Sequence, residues 1–193
     1  MDTAGRLLDL ARSRPPTLGA GRLVCIDGPA GSGKTTLADA VASLAPGTTV
    51  VHMDDLYDGW DGLPRVAEQL AGLLAPLARG ATGSYRRYDW LAGHYAESVT
   101  VTPGDLLVVE GVGSGVARVA HLVTALAWVE APTSVRLERG LARDGEAARP
   151  HWERWQVDEQ ALFARERTRV RADLLVDTSD GATPASGRPG TRP

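Results

Sequence analysis

The stretch Gly28-Pro29-Ala30-Gly31-Ser32-Gly33-Lys34-Thr35 decides how the rest of this chain is interpreted. It matches the pattern of a phosphate-binding loop: Gly, four variable residues, Gly, Lys and then Ser or Thr. Glycines let such a loop turn sharply, so that several main-chain N–H groups face one anion. Lys34 is the single lysine among 21 lysine and arginine residues. The chain therefore keeps a compact ammonium at the one position where the pattern requires it.

The flanking residues supply the strand and the helix that such a loop needs. Residues 22–27 are a short apolar, β-branched run, which predicts a strand. From Lys34 to Leu44 apolar side chains recur at helical spacing, so the positive end of a helix points at the loop. The Thr35 hydroxyl is placed to bind Mg²⁺. The predicted nucleotide-binding residues are Gly28, Ala30, Gly31, Ser32, Gly33, Lys34, Thr35 and Thr36.

Length and composition predict one globular domain. The chain has 193 residues, of which 43% are hydrophobic and 23% charged, as expected for a domain with a sizeable core. A net charge of −3 gives no reason to expect nucleic acid as a partner, and no apolar run reaches membrane-spanning length. The one cysteine, Cys25, cannot form an internal disulfide, so we expect a cytoplasmic protein. A homo-oligomer is left open.

Strand and helix patterns alternate along the whole chain. Further strands are predicted at 48–53, 105–110, 126–129 and 172–178. Helices are predicted at 3–13, 64–80, 116–123 and 152–171, with another starting at Pro132. This predicts an α/β P-loop NTPase fold with a five-stranded parallel sheet flanked by helices, and a helical lid whose tip is 144–151. Residues 1–178 form one domain, and 179–193 are predicted to be a disordered tail.

Two polar segments lie where ligands of such a sheet would bind. The loop 54–62, directly after the second strand, contains four aspartates and two aromatic residues. Ligands of open α/β sheets bind at the carboxyl ends of the strands. The segment 85–95 alternates aromatic and charged residues. It predicts either a surface that stacks on a planar ligand or an edge hairpin with amphipathic side chains.

Charged residues also mark the third strand and the helix that starts at Pro132. Glu110 ends an apolar run, and an acid in this place of a P-loop protein usually faces Mg²⁺. Arg136, Arg139 and Arg143 follow one another at spacings of three and four, so they share one helix face. They are either solvated or close over a triphosphate and offset its charge.

Taken in order, these motifs resemble the uridine kinase and phosphoribulokinase family of P-loop kinases, from about Leu23 to Val176. The landmarks are Ile26-Asp27-Gly28 through Thr36, Asp54-Asp55-Leu56-Tyr57, Tyr88-Asp89-Trp90, Glu110-Gly111, and Arg136-Leu137-x-Arg139 with Arg143-Asp144. Asp55 stands where the family usually has Ser, and Trp90 where it usually has Phe. A GTPase is not expected, because no second lysine can supply an Asn-Lys-x-Asp motif.

The resemblance implies ATP- and Mg²⁺-dependent phosphorylation of a hydroxyl on a nucleoside or similar small molecule. Asp54 would act as general base or hold the hydroxyl in line, and Lys34 would bridge the β and γ phosphates. Arg139 and Arg143 would clamp phosphate from the lid. The metal would be held or organised by Thr35, Asp54 and Glu110. The acceptor pocket would be lined by Asp55, Tyr57, Tyr88, Asp89 and His94.

Two other hypotheses stay open at this point. A nucleoside monophosphate kinase or sugar-acid kinase would need arginines beside the acceptor loop, and Arg65, Arg86 and Arg87 could serve. A non-catalytic ATP-binding module would bind nucleotide without turnover and would tolerate Asp54→Asn.

Overall fold

The computed structural model describes residues 2–179, whose strands form a five-stranded parallel sheet and a separate two-stranded hairpin. The strands are β1 (Arg22–Asp27), β2 (Thr49–His52), β3 (Gly83–Asp89), β4 (His94–Val101), β5 (Leu106–Glu110), β6 (Ala125–Glu130) and β7 (Leu174–Asp177). The helices are α1 (Thr3–Ser13), α2 (Lys34–Leu44), α3 (Val66–Ala78), α4 (Thr133–Asp144), α5 (Arg149–Glu166) and α6 (Thr168–Arg171). Short 3₁₀ turns occupy 53–55, 59–61, 63–65, 117–122 and 146–148.

The order of the strands across the parallel sheet is β2-β5-β1-β6-β7. The predicted five-stranded parallel sheet is therefore confirmed, and its carboxyl edge gathers the ends of β1, β2 and β5. Of the predicted disordered tail, residues 180–193 lie outside the described residues. Within residues 2–179, no helix combines the length and the apolar character that crossing a bilayer requires.

Helices cover both faces of the sheet, so each central strand buries side chains in two directions. Val24 and Ile26 of β1 belong to the core shared with α1 and α2. Leu23 and Cys25 point into the larger core, which includes α3 and α5. Strands buried on both faces read as continuous apolar runs, which is why β1 and β5 were recognisable. Burial raises the pKa of the Cys25 thiol, so this residue packs as a small apolar side chain.

The segment 85–95 forms an antiparallel hairpin, the second of the two interpretations given above. β3 pairs with β4, with a shift in register between Arg86 and Tyr88. The Asp89 carboxylate accepts hydrogen bonds from the N–H groups of Leu91 and Ala92, both at 3.0 Å, and so closes the turn. The hairpin contacts α3 and the 3₁₀ turn that follows β2. Its residues are therefore held close to the end of β2.

Helices α4 and α5 form the predicted helical lid, with residues 145–148 between them. They approach closely at Gly140, where a Cβ would lie 2.4 Å from the Trp152 ring. The helix predicted at 152–171 is wrong in its bounds, because α5 begins at Arg149 and ends at Glu166. Arg167 has φ 54°, and this left-handed conformation ends α5 before α6 begins.

Candidate nucleotide and acceptor site

Residues 28–33 connect β1 to α2 through a loop whose conformation depends on glycine. Gly31 has φ +78°, and a Cβ there would lie 2.6 Å from the carbonyl oxygen of Arg136. Gly33, in the left-handed conformation, precedes the first residue of α2, so that helix begins at Lys34. Main-chain amides at a helix N-terminus attract an anion. The predicted strand–loop–helix arrangement is thus present.

Lys34 is buried at the base of the loop, close to several carboxylates. Its Nζ donates a hydrogen bond of 2.9 Å to the carbonyl oxygen of Pro29. Burial lowers the pKa of this ammonium, and neighbouring negative charges oppose the shift. Those charges belong to Glu110, Glu159, Asp27 and Asp54. Such an excess of carboxylates around one ammonium fits a site at which a divalent cation accompanies a bound anion.

Thr35 and Glu110, two of the predicted metal residues, are in direct contact. Thr35 Oγ1 donates a hydrogen bond of 3.1 Å to Glu110 Oε1, and His52 Nδ1 lies 2.6 Å from the same oxygen. Hydroxyl and carboxylate oxygens are the hard ligands that Mg²⁺ prefers. Among the described residues, no group of three or more His, Cys, Asp or Glu side chains could hold a metal by itself. Mg²⁺ at Thr35 and Glu110 would take its further ligands from water and from a bound phosphate.

Asp54 and Arg143 come to this acidic edge from two different elements. Asp54 lies in the 3₁₀ turn after β2, and Arg143 lies in the last turn of α4. Burial opposes the charge on Arg143, but its hydrogen bonds to Asp144 and the negative charges of Asp144, Asp54 and Glu110 raise its pKa. The guanidinium also lies over the Trp152 ring, 5.7 Å from its centroid. The lid thus brings one cation towards the end of β2.

Asp27 braces the loop, a role that the sequence reading missed. Its carboxylate accepts hydrogen bonds from the N–H groups of Gly28 (2.7 Å), Gly113 (2.8 Å) and Gly115 (2.9 Å). Burial raises the pKa of Asp27 to about 6, although these three bonds and the charge of Lys34 lower it. One buried carboxylate therefore ties the phosphate loop to the loop that follows Glu110. The sequence contains one signal for this role: Asp27 is a carboxylate at the end of an apolar strand, directly before the glycines of the loop.

Glu159 and Arg136 form a second brace that was not predicted. Glu159, on α5, accepts the N–H of Ala30 at 2.8 Å and the Arg136 guanidinium at 2.7 Å. Arg136 also donates to the carbonyl oxygen of Ala30 at 3.1 Å. Both side chains are buried, so Arg136 supports the loop from behind rather than closing over a ligand. Glu159 lies at helical spacing from the buried residues Trp152, Trp155 and Leu162, so its burial could have been predicted from the sequence.

Arg139 lies beside a cavity of about 260 Å³ that adjoins the phosphate loop. It donates hydrogen bonds to the carbonyl oxygens of Gly31 (3.3 Å) and Thr178 (2.8 Å). Thr178 Oγ1 in turn donates to the carbonyl oxygen of Ser32 at 2.8 Å. The cavity is also lined by Gly33, Thr36 and Leu37 and by the first turn of α1. It opens beside the phosphate loop at the first turns of α2, between the start of α1 and the end of β7.

Aromatic rings from three distant parts of the chain form one cluster around the loop 54–62. Trp60 of the acidic loop packs edge-on against Trp90 of the hairpin and Trp152 and Trp155 of α5, at centroid distances of 5.6, 6.2 and 5.9 Å. His151 stacks on Trp60 at 5.3 Å with an interplanar angle of 14°. The cluster joins the loop 54–62, the hairpin and the lid. Because these residues are far apart in sequence, no local sequence pattern predicts their contacts.

The two tyrosines predicted to line the acceptor pocket have different surroundings. Tyr57 is fully buried, its hydroxyl donates to the carbonyl oxygen of Val112 at 2.7 Å, and its ring packs edge-on against Trp155. Tyr88 is half-buried and packs edge-on against Trp90. The contacts of Tyr57 are those of a core residue, whereas Tyr88 keeps an exposed portion. Binding of an acceptor by either residue stays a prediction.

The other predicted acceptor residues are spread along the hairpin and the end of β2. Asp55 Oδ2 accepts a hydrogen bond of 3.3 Å from the Tyr85 hydroxyl. Trp90 Nε1 donates to the carbonyl oxygen of Asp54 at 2.9 Å, which fixes the hairpin to the end of β2. Asp89 closes the hairpin turn, and His94 is exposed at the start of β4. Asp55 thus lies next to Asp54 in the turn after β2, whereas Asp89 and His94 flank the hairpin turn.

Comparison with known proteins identifies the fold. No protein-family model matches the chain, and no curated protein matches its sequence significantly. A possible uridine kinase from Bacillus stearothermophilus matches with a TM-score of 0.60 at 20% identity, over 92% of this chain and 100% of that one. A candidate fructose transport system kinase from Silicibacter sp. TM1040 also gives a TM-score of 0.60 at 20% identity, over 91% and 99%. The chain has the P-loop kinase fold, which confirms at the level of the fold the resemblance to uridine kinase-like proteins.

Proposed function

We propose that this protein is an ATP-dependent kinase that transfers the γ-phosphate to a hydroxyl of a nucleoside or a similar small metabolite. The observation that carries the proposal is that the phosphate loop with Lys34 follows β1 and Asp54 follows β2, and both strands end in register with Glu110 of β5. Phosphoryl transfer needs an anion cradle on one side and a positioned acceptor on the other. The two sides lie at the same edge of the sheet.

The donor side has the features that a nucleoside triphosphate requires. Ser32 Oγ is buried in the loop and has no hydrogen-bond partner among the described residues, as expected for a donor to a phosphate oxygen. The cavity beside Arg139 and Thr178 is continuous with the start of α2 and would take the nucleoside portion. Mg²⁺, held by Thr35 with Glu110 near its water shell, would neutralise charge on the phosphates.

The acceptor side would position and activate the hydroxyl. Asp54 would accept its proton or hold it in line, because this carboxylate lies in the turn directly after β2, at the same edge of the sheet as the phosphate loop. Lys34 would bridge the phosphates from below, and Arg143 would approach from the lid. Arg139 would hold phosphate or nucleoside from the donor side. Tyr88 and Asp55 would contact the acceptor.

The proposal is tested by acceptor-dependent release of ADP from Mg·ATP, measured with nucleosides, sugars and nucleoside monophosphates. Asp54→Asn is expected to lower kcat by about a hundredfold or more, since a positioned base contributes that much. The affinity for ATP, measured by calorimetry, should change little. Asp61→Asn is the matched control, because this exposed aspartate of the same loop pairs only at the surface with Arg154.

Two results would contradict the proposal. One is tight binding of ATP with no turnover for any acceptor class, which a non-catalytic ATP-binding module predicts. The other is equal activity of Asp54→Asn and the unchanged protein.

A further inference from the structure

The arginines nearest the acceptor site are already matched by carboxylates or carbonyl oxygens. We infer that the acceptor of the proposed kinase is an uncharged or positively charged alcohol, and that a molecule carrying a phosphate or carboxylate group is rejected. This inference rests on the proposed function and decides between two acceptor classes that the sequence leaves open. The arginines in question are Arg65, Arg86, Arg87 and Arg143.

Arg65 follows the acidic loop and is held by a residue of that loop. Its Nη1 lies 3.3 Å from Asp58 Oδ2. The loop contains four aspartates, of which Asp58 pairs with Arg65 and Asp61 pairs with Arg154 of α5. Even if Arg65 left Asp58, an anionic acceptor would meet a loop with surplus negative charge. Juxtaposed like charges weaken binding strongly.

The two hairpin arginines are engaged across the strands of the hairpin. Arg87 makes a two-point pair with Glu97, with N–O distances of 2.6 and 3.1 Å, and lies 3.8 Å from Asp89. Arg86 donates to the carbonyl oxygens of Tyr95 and Ala96 and lies over the Tyr95 ring. The Arg87 guanidinium thus already binds a carboxylate through the two-point geometry with which it would otherwise bind a phosphate.

Arg143, in the last turn of α4, is also held by a neighbour. Two hydrogen bonds, of 2.7 and 3.0 Å, join it to Asp144, whose side chain is fully buried. Asp144 also accepts a hydrogen bond from Trp152 Nε1 at 2.9 Å, so it cannot turn away without loss of that bond. The charges that face Arg143 from across the site are Asp54 and Glu110. With these two carboxylates opposite it, Arg143 is better placed to contact a transferring phosphate that Mg²⁺ accompanies than to bind a second anion on the acceptor.

Acceptors that differ by one anionic group provide the test. Initial rates with Mg·ATP would be compared for uridine and uridine 5′-monophosphate, ribose and ribose 5-phosphate, and glycerol and glycerate. We expect kcat/KM for the uncharged member to exceed that for the anionic member by about tenfold or more in every active pair. Amino sugars, which carry a positive charge, should be at least as good as the parent sugars.

Two variants release an arginine and so test the cause. Asp58→Asn frees Arg65, and Glu97→Gln frees Arg87; each should reduce the discrimination against the anionic member by roughly threefold, the effect of removing one charge near a surface site. Glu146→Gln is the matched control: it removes the closer of the two carboxylates that pair with Arg149 in the lid, changes the net charge equally, and should leave the discrimination unchanged.

The possible failures are distinguishable. Preference for the phosphorylated or acidic member in any pair overturns the inference and leaves the kinase proposal intact. An equal change in discrimination with Glu146→Gln also overturns it, because the effect would then reflect net charge alone. Binding of ATP without turnover of any acceptor removes the proposed function, and the inference with it.

Discussion

The phosphate loop and the proposed acceptor side, which comprises the loop 54–62, the hairpin and the lid around them, are built in opposite ways. The loop presents main-chain amides that are braced from behind by buried groups, Asp27 on one flank and the Glu159–Arg136 pair on the other. The acceptor side presents side chains held by ring contacts and by partly exposed ion pairs such as Arg65 with Asp58. A main-chain cradle can serve any triphosphate, whereas selectivity for the acceptor depends on which side chains meet.

This contrast indicates where substitutions act. Changes at the loop should impair stability and every reaction together, because the braces are buried and shared. Changes on the acceptor side should alter selectivity first, because exposed ion pairs contribute little to stability. The following predictions test the contrast, beginning with the largest effect.

Lys34→Ala is expected to lower kcat/KM of the proposed kinase by about a thousandfold or more, since the ammonium offsets charge on the transferring phosphate. Binding of ATP, followed by calorimetry, should weaken as well. Lys34→Arg keeps the positive charge among the surrounding carboxylates but replaces the compact ammonium by a larger planar group, so turnover should not return. Normal activity of Lys34→Ala would show that the loop is not the catalytic cradle.

Gly31→Ala compares the two regions at positions with the same backbone conformation. A Cβ at Gly31 would lie 2.6 Å from the carbonyl oxygen of Arg136, at φ +78°, so we expect a loss of about 3 kcal/mol in the free energy of unfolding. Gly93, at the hairpin turn, has φ +71° and nothing within 4 Å of the added atom. Gly93→Ala should cost only about 1 kcal/mol in urea unfolding. Equal losses would mean that the loop is not rigidly braced.

The Asp27 brace predicts a pH dependence of stability. The folded-state pKa of about 6 lies above the ordinary value of 3.8, so the folded protein holds this proton more tightly than the unfolded chain. The contribution of Asp27 to stability should therefore fall as the pH rises from about 4 to 6, by on the order of 3 kcal/mol. Urea unfolding at several pH values should give a smaller slope for Asp27→Asn than for the unchanged protein. Asp9→Asn, exposed on α1, should keep the original slope.

Trp60→Ala should weaken binding of the acceptor but not binding of ATP. Trp60 contacts Trp90, Trp152, Trp155 and His151, so its loss should destabilise the fold by about 2 kcal/mol, less than for a fully buried Trp. We expect KM for the acceptor to rise about tenfold while KM for ATP stays the same, because the loop 54–62 loses its support. Leu91→Ala, 73% exposed at the hairpin turn, is the control and should change neither quantity. A rise in both KM values would argue against separate donor and acceptor regions.

Sequence patterns predicted the elements whose causes are local. Apolar runs predicted β1 and β5. Helical spacing after Gly33 predicted that α2 begins near Lys34. The positions of Lys34, Thr35 and Glu110 were predictable, because Lys34 and Thr35 directly follow the glycine loop and Glu110 ends a strand. The break after α5 was missed, since Arg167 adopts a left-handed conformation without the glycine that usually signals one.

By itself, the sequence determined that a phosphate loop sits at the carboxyl edge of a parallel sheet, because glycine, lysine and strand patterns act over a few residues. Only the tertiary structure decided that Asp27 and Glu159 brace that loop, that Tyr57 is a core residue, and that each acceptor-side arginine already has a partner. Those facts depend on groups as far apart as Ala30 and Glu159. Burial and pairing at such separations are fixed by how the helices pack on the sheet, and no local pattern encodes them.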